Sequence, residues 1–346
     1  MWRLIKTVLL LAALAAAGVL ALSNWQTRTS AVLEQLVRLD QRLPMPTAAT
    51  AAMPVSASAV DANPLLAVKS WGYQLQQLRL PELTAAPYDL LVIDYSRAGT
   101  EDTALTRAEI ARLKVKPDGT RRIVLCYLSI GEAEDYRYYW NPDWKQRPPA
   151  FLGKENRNWR GNYAVRFWLP EWQQVILGRE DSYLEKIISL GFDGVYLDRI
   201  DGYSELEAER EGARSDMVGF VRTISARAKG IKPGFLVVAQ NAEELLQNAS
   251  YRAVIDGIAK EDPVFGEHRE STLNKESQIQ EVYRYLLQAR GDRKAVFVVD
   301  YIADPELRAR TAEMAMRRNF IPHFARRDLA RLSLHPLPVL PEKPGD

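Results

Sequence analysis

The sequence predicts an α/β protein whose main domain is a (β/α)8 TIM barrel. Three observations carry that reading. Eight short apolar runs recur between residues 65 and 334. Segments of helical period lie between most of them. Several of the runs stop at an acidic side chain. Continuous apolar strands alternating with helices imply a parallel sheet covered on both faces. Eight such units in a chain of this size match the barrel in number and length. An open doubly wound sheet is the rival arrangement, but no Gly-rich phosphate turn follows the first run.

The elements follow in chain order. Arg3 and Lys6 precede fifteen uncharged, mostly apolar residues, Val8 to Leu22. This pattern over 1–23 reads as a signal peptide or an N-terminal membrane anchor. Fifteen residues are fewer than the roughly 20 of a full span, although Leu4 and Ile5 lengthen the run. The expected location is therefore outside the cytoplasm: periplasmic, tethered to the inner membrane, or secreted. No cysteine follows the run, which excludes a lipoprotein anchor. Residues 24–43 have the spacing of a short amphipathic helix, with Val32, Leu33, Leu36, Leu39 and Leu43 on one face. Residues 44–64 are rich in Ala, Pro and Ser and read as a flexible tether, because such a composition cannot bury a core. The barrel is expected over 65–334, with a Pro-rich tail at 335–346.

The eight expected strands are Ser70–Leu75, Leu90–Tyr95, Ile123–Ser129, Gly194–Asp198, Phe235–Gln240, Ala253–Lys260, Ala295–Tyr301 and Asn319–Phe324. The expected helices are Thr106–Leu113, Pro170–Leu190, Asp216–Lys229, Ala242–Asn248, Ser271–Ala289 and Pro305–Arg318. Pro170 stands where a helix starts. The formal net charge is +2, from 46 basic and 44 acidic side chains, with no dense basic stripe. That excludes the electrostatic footprint of a nucleic-acid-binding protein. The single cysteine, Cys126, permits no intramolecular disulfide and reads as a buried small hydrophobe.

The connection after the third strand, residues 130–170, is unusually long. It holds Trp140, Trp144, Trp159 and Trp168, four of the eight tryptophans, with Tyr136, Tyr138, Tyr139 and Tyr163. Aromatic rings interleaved with Asn, Asp and Arg on the catalytic face suit sugar rings, whose apolar faces stack while their hydroxyls bond to polar neighbours. The alternative is that the rings pack the loop onto the barrel. The reading expects both, with about a third of the rings meeting ligand.

The strand ends carry Asp94, Glu132, Asp198, Asp201, Glu261, Asp262 and Asp300. In a barrel, side chains at these ends line the active-site mouth. Glycosidic cleavage needs two carboxyls, one a proton donor and the other a nucleophile or base. Asp198 ends the fourth strand and Glu261 follows the sixth, so the two face each other across the mouth. Asp198 is the expected nucleophile or base and Glu261 the expected general acid. The plainer alternatives are an Asp198–Arg199 pair and a surface ion pair at Glu261. Asp94, Glu132 and Asp300 read as sugar binders or tuners of proton affinity, although Asp300 equally suits a strand cap. Gln240 and Asn241 are neutral hydrogen-bonding groups. His268, His323 and His335 lack metal-site spacing, so no metal or cofactor is expected. No Gly-x-Ser-x-Gly elbow and no P-loop is present.

Taken in order, WGYQLQ, IDYS, CYLSIGEAEDYR, GFDGVYLDRIDGY, VVAQN, DGIAKED and VVDY resemble the endo-α-1,4-polygalactosaminidase family of glycoside hydrolases. The resemblance covers residues 70–325. It implies a barrel hydrolase acting inside chains of α-1,4-linked galactosamine or N-acetylgalactosamine. It implies the catalytic pair Asp198 and Glu261, and mouth-lining positions at Asp94, Tyr95, Tyr127, Glu132 and Asn241. Tyr73, Trp168, Arg199, Asp201, Asp300 and Tyr301 complete the set expected to meet the polysaccharide. A barrel that binds polysaccharide without cutting it is the alternative function.

Overall fold

The computed structural model describes residues 27, 29–46, 63–178, 181–267 and 271–334. The segment expected to be a signal or anchor, most of the tether and the Pro-rich tail lie outside them. No helix among the described residues is long and apolar enough to cross a membrane.

A helix, α1, covers residues 29–42. Strand β1 (Trp71–Gln74), helix α2 (Leu80–Ala85), strand β2 (Leu90–Ile93), helix α3 (Arg107–Leu113) and strand β3 (Ile123–Ser129) open the barrel. Three short strands then form the long insert: β4 (Glu132–Glu134), β5 (Leu152–Glu155) and β6 (Asn162–Val165). Helices α4 (Pro170–Leu177) and α5 (Tyr183–Leu190) lead to β7 (Gly194–Asp198). Next come α6 (Tyr203–Leu206), α7 (Ala213–Ile231), β8 (Leu236–Gln240), α8 (Ala249–Val254) and β9 (Gly257–Glu261). Helix α9 (Glu276–Gly291), β10 (Ala295–Asp300), α10 (Pro305–Met316) and β11 (Ile321–Phe324) complete it.

The barrel sheet has eight strands in the order β1-β2-β3-β7-β8-β9-β10-β11, and every recorded pairing in it is parallel. The last strand lies beside the first. Their seam is bridged by the Trp71 indole N–H, which donates to the Ile321 carbonyl at 3.0 Å. Just above it, the backbone N–H groups of Leu75 and Gln76 both donate to the Leu329 carbonyl. The (β/α)8 expectation is thereby met.

Each barrel strand is buried on both faces, which is why its sequence reads as an unbroken apolar run. On β3, Leu125 and Tyr127 enter the barrel interior, while Val124, Cys126 and Leu128 pack under the helices. The interior also receives Trp71, Tyr73, Val92, Tyr196, Val238, Ala259, Phe297 and Val299. Because side chains alternate with period two, the residue two past each of these faces inward as well. That rule sends Asp198, Gln240, Glu261 and Tyr301 toward the axis at the carboxyl end. It sends Tyr95 and Asp300 the other way, into the layer beneath the helices.

Several boundaries differ from the sequence expectation. The single helix expected over Pro170–Leu190 is two: α4 ends at Leu177 and α5 starts at Tyr183. The strand expected from Ala253 begins at Gly257, because Asn248 caps a helix there by accepting from the N–H groups of Ser250 and Tyr251. Helix α2 and the insert sheet, ordered β4-β6-β5, were not foreseen.

The amphipathic helix expected near residues 24–43 is present and is not left on a free tether. Leu36, Leu39 and Leu43 join the outer core. Asp40 receives Arg310 at 2.8 Å, Arg317 at 3.0 Å and the fully buried Arg318 at 2.7 Å, all from α10 and its end. Arg318 also donates to the carbonyls of Asp40 and Pro44. Removing the carboxylate strands a buried cation, which costs far more than the pair itself is worth. Asp40→Asn is therefore expected to lower unfolding free energy by on the order of 3 kcal/mol in a urea titration. An unchanged midpoint would show that α1 contributes nothing to the barrel.

Candidate active site

A cleft of about 920 Å³ opens at the carboxyl ends of the barrel strands. Tyr73, Tyr127, Asp198, Gln240, Glu261 and Tyr301 lie at its floor, all on the inward phase of their strands. The insert and the segment after β11 supply its walls.

Three consecutive strands leave the floor through left-handed residues. Arg199, Asn241 and Asp262 have φ of 60°, 56° and 52°. Backbone strain of this kind costs of order 1–3 kcal/mol at a non-glycine and persists where tertiary contacts hold it. Here the contacts are visible. The Asn241 side chain accepts the backbone N–H of Glu261 at 3.1 Å, and the Asp262 N–H donates to the Val299 carbonyl. At the end of β3, a Cβ on Gly131 would lie 2.1 Å from the Arg199 carbonyl oxygen, so only glycine allows the two strand ends to meet.

Most acids around the cleft are held by cations. Glu132 is buried, lies 3.0 Å from the Arg199 Nε and accepts from Asn156 and Asn162 at 2.8 and 3.3 Å. Arg199 also meets Glu205 at 2.6 Å and lies 3.7 Å from Asp201. Asp94 and Glu134 share the buried Arg137, at 2.7 and 2.6 Å. Asp262 takes Arg327, and Lys260 faces Glu243.

Asp198 and Glu261 differ. The side-chain partner of Asp198 is the Tyr127 hydroxyl, which donates to Oδ2 at 2.7 Å. The side-chain partner of Glu261 is the Tyr301 hydroxyl, which donates to Oε1. The plainer alternatives fail on these facts: Arg199 is engaged with other acids, and Glu261 is on the cleft floor. Burial pushes the Asp198 carboxyl up to about 7, helped by the charges of Glu261 and Asp201 and opposed by Tyr127 and Arg199. Burial also raises Glu261; its Tyr301 bond pulls back, Asp262 raises it further, and Arg327 and Lys260 oppose. The charge of Glu261 is among the causes that raise Asp198, so the two carboxyls lie in one electrostatic field.

Of the other expected residues, Tyr73, Asp94, Tyr127, Glu132, Arg199, Asp201, Asn241 and Tyr301 line the cleft. Tyr95, Trp168 and Asp300 do not. Tyr95 is fully buried against Tyr183 and Tyr138. Trp168 packs on Phe167 and under Arg210. Asp300 faces outward and accepts the N–H groups of Val264 and Phe265 at 3.2 and 2.9 Å, fastening the loop behind Glu261. Of the eight insert tryptophans and tyrosines, Tyr136 and Trp159 line the cleft. Trp140 meets Trp144 edge-on and Tyr163 at a tilt, and Trp144 also meets Phe151 in a local core. Sequence reasoning missed Arg137, Asn156, Asn162 and Arg327. The first three lay in plain view among the insert's polar residues; Arg327, beyond the last strand, carried no strand-end signal.

The chain matches the family described as Glycoside-hydrolase family GH114 over residues 49–337. An uncharacterized protein of Deinococcus radiodurans is 36% identical over 276 residues, 78% of this chain and 84% of its own. One of Methanocaldococcus jannaschii is 37% identical over 241 residues, 68% of this chain; the match spans 66% of that relative's length. Among solved structures, the glycoside hydrolase domain of PelA from Pseudomonas aeruginosa matches with a TM-score of 0.59 at 17% identity, over 76% of this chain and 97% of that one. Ega3 of Aspergillus fumigatus, solved with galactosamine, matches with a TM-score of 0.55 at 19% identity, over 77% and 94%. The two structures share the barrel fold.

The raised Asp198 carboxyl has a consequence for stability. Between roughly pH 4, where an unfolded Asp ionises, and about 7, the folded protein holds a proton that the unfolded chain has lost. The contribution of Asp198 therefore falls as pH rises through that window and is flat above it. Asp300, also raised to about 7 by burial, acts in the same window. Asp198→Asn is expected to melt higher than wild type at pH 8, by roughly 3 °C, with the gap closing toward pH 4. A gap that does not depend on pH would show that Asp198 ionises normally.

Proposed function

The chain belongs to glycoside-hydrolase family GH114 and is a glycoside hydrolase, and on that premise we propose that it cleaves internal α-1,4 linkages of a galactosamine- or N-acetylgalactosamine-type polysaccharide. One observation carries the assignment of the chemistry: Asp198 and Glu261 are the strand-end acids of the cleft floor whose side-chain partners are tyrosine hydroxyls rather than cations. A carboxyl neutralised by a close arginine is a poor proton donor and a weak nucleophile; one held by a phenol keeps both capacities. Glu261 protonates the departing glycosidic oxygen, and Asp198 acts as nucleophile or base at the anomeric carbon. The galactosamine held by Ega3 agrees with the sugar that the sequence motifs imply.

The remaining groups divide the work of holding the polymer. Tyr73, Gln240, Asn241 and Tyr301 offer hydroxyl and amide groups at the floor, and Trp159, which is 49% exposed, offers an apolar ring at the wall. Such a ring stacks a sugar face without fixing its identity. The barrel over 65–334 is the catalytic unit in this reading. Export through residues 1–23, leaving the enzyme outside the cytoplasm, belongs to the same proposal, as does the absence of a cofactor.

The test uses protein from residue 24 onward with a partly deacetylated α-1,4-linked N-acetylgalactosamine polymer, read by oligomer mass and reducing ends. Wild type is expected to release a ladder of oligomers. Glu261→Gln and Asp198→Asn are each expected to lose roughly a thousandfold in rate while retaining the polymer. An aryl oligosaccharide with a good leaving group needs no proton donor. Its first bond cleavage is expected to survive Glu261→Gln and to fail with Asp198→Asn. Polymer bound but never cut by wild type would turn the reading to a non-catalytic binding barrel. Trp159→Ala is expected to raise KM about tenfold at near-constant kcat, from loss of about 1–1.5 kcal/mol of stacking. An unchanged KM would place the ring outside the polymer's path.

A further inference from the structure

We propose that Arg327 is a positioning residue for Glu261, clamping it from two sides and tying it to the barrel seam. This rests on the reading of Glu261 as the proton donor. The Arg327 Nη2 lies 2.9 Å from both carboxylate oxygens of Asp262, the residue that directly follows Glu261. The same guanidinium lies over the Tyr301 ring, 4.3 Å from its centroid. Tyr301 in turn donates its hydroxyl to Glu261. One cation thus restrains the chain neighbour of the acid and the phenol bonded to it.

Three further features fit a clamp rather than a chance surface pair. Asp262 is left-handed at φ 52° and therefore needs a tertiary hold. Gly266, at φ +97°, keeps the space open: a Cβ there would lie 2.6 Å from the Asp262 Oδ1 and 2.9 Å from the Arg327 Nη2. Two residues beyond Arg327, the Leu329 carbonyl accepts the N–H groups of Leu75 and Gln76, where β11 meets β1. The Gln74 side chain also donates to the Ala330 carbonyl at 3.2 Å. The segment that carries Arg327 is fixed to the first strand, so closing the barrel also sets the position of the acid.

The charged and titratable groups around Glu261 are Asp198 and Tyr196 from β7, Tyr73 from β1, Tyr301 directly after β10, its neighbours Lys260 and Asp262, and Arg327. Among them Arg327 is a cation of the cleft wall, whereas Lys260 faces Glu243 behind the strand. Taking Arg327 away removes favourable charge from the ionised acid, so the proton affinity of Glu261 rises.

The experiment compares wild type, Arg327→Gln and Arg327→Lys in the full chain. Two readouts are followed: polymer cleavage against pH, and the Glu261 carboxyl titration by carbon NMR without substrate, assigned by the signal missing from Glu261→Gln. Arg327→Gln is expected to lower kcat roughly tenfold to a hundredfold with little change in KM. Its Glu261 midpoint is expected to rise by about one unit, carrying the alkaline limb of the rate profile with it. Arg327→Lys keeps the charge but not the stack, so it is expected to keep the midpoint and restore only part of kcat. A raised KM at constant kcat would make Arg327 a substrate contact and overturn the proposal. So would a Glu261 midpoint unchanged in Arg327→Gln, whether or not activity falls. Should Arg327→Gln fail to fold, Arg327→Lys decides: wild-type kcat in it overturns the clamp. A wild type that cleaves nothing would sink the functional reading alone, because the NMR arm still tests the contact of Arg327 with the acid.

Discussion

Two-residue alternation on eight buried parallel strands governs almost everything about this molecule. Each barrel strand must fill the interior with one set of side chains and meet the helices with the other. Tyr196 and Asp198 occupy the inward phase of β7, as Ala259 and Glu261 do on β9. The floor of the cleft is therefore the top of the barrel's own packing, and the acids stand on a layer of Tyr73, Tyr127, Tyr196 and Tyr301. Phenols suit that place because their rings pack like apolar groups while the hydroxyls of Tyr127 and Tyr301 reach the carboxyls. The same parity removes Asp300 from the chemistry and gives it a loop to fasten.

Charge around the cleft is sorted by the same geometry. A buried carboxylate needs compensation, and the cheapest source is a nearby cation. Glu132, Asp94, Glu134 and Asp262 all have one. Asp198 and Glu261 have hydroxyl partners instead; burial raises their proton affinity, as it also raises that of Asp94, Glu132 and Asp262 against the pull of their cations. A stable resting structure would pair them too. Leaving them without a close cation is the usual sign of a site that trades stability for chemistry.

The long insert does two jobs with one composition. Its inner aromatics make a small core of their own, which the three-stranded sheet β4-β6-β5 frames. Its outer residues, Tyr136 and Trp159, then stand over the cleft on a rigid base. Arg137 connects the two layers, because it pins the insert to Asp94 at the end of β2. Rigid support for a loop-borne site is what allows loop residues to bind with any specificity.

Much of this was legible in the amino-acid sequence. Buried parallel strands announce themselves as apolar runs, so all eight barrel strands stood out, and the acids at their ends marked the mouth. The phase of Asp300 and Tyr95 was not: both were expected in the mouth, and a strand buried at every position does not mark in sequence which residues face inward. Nor were other features. A run of aromatics looks the same in a local core as on a binding wall, and only the packing of Trp144 on Phe151 separates it from Trp159. The partner of each acid was also hidden. Arg199 follows Asp198 directly yet turns through a left-handed conformation to Glu132, while the Tyr127 hydroxyl that holds Asp198 lies 71 residues earlier. Arg327 reaches the acid's neighbour from beyond the final strand. Local sequence sets the period and phase of a strand because sterics act over a few residues. Which charge meets which is decided only when the barrel closes, because Coulomb and hydrogen-bond contacts depend on distance in space and not along the chain.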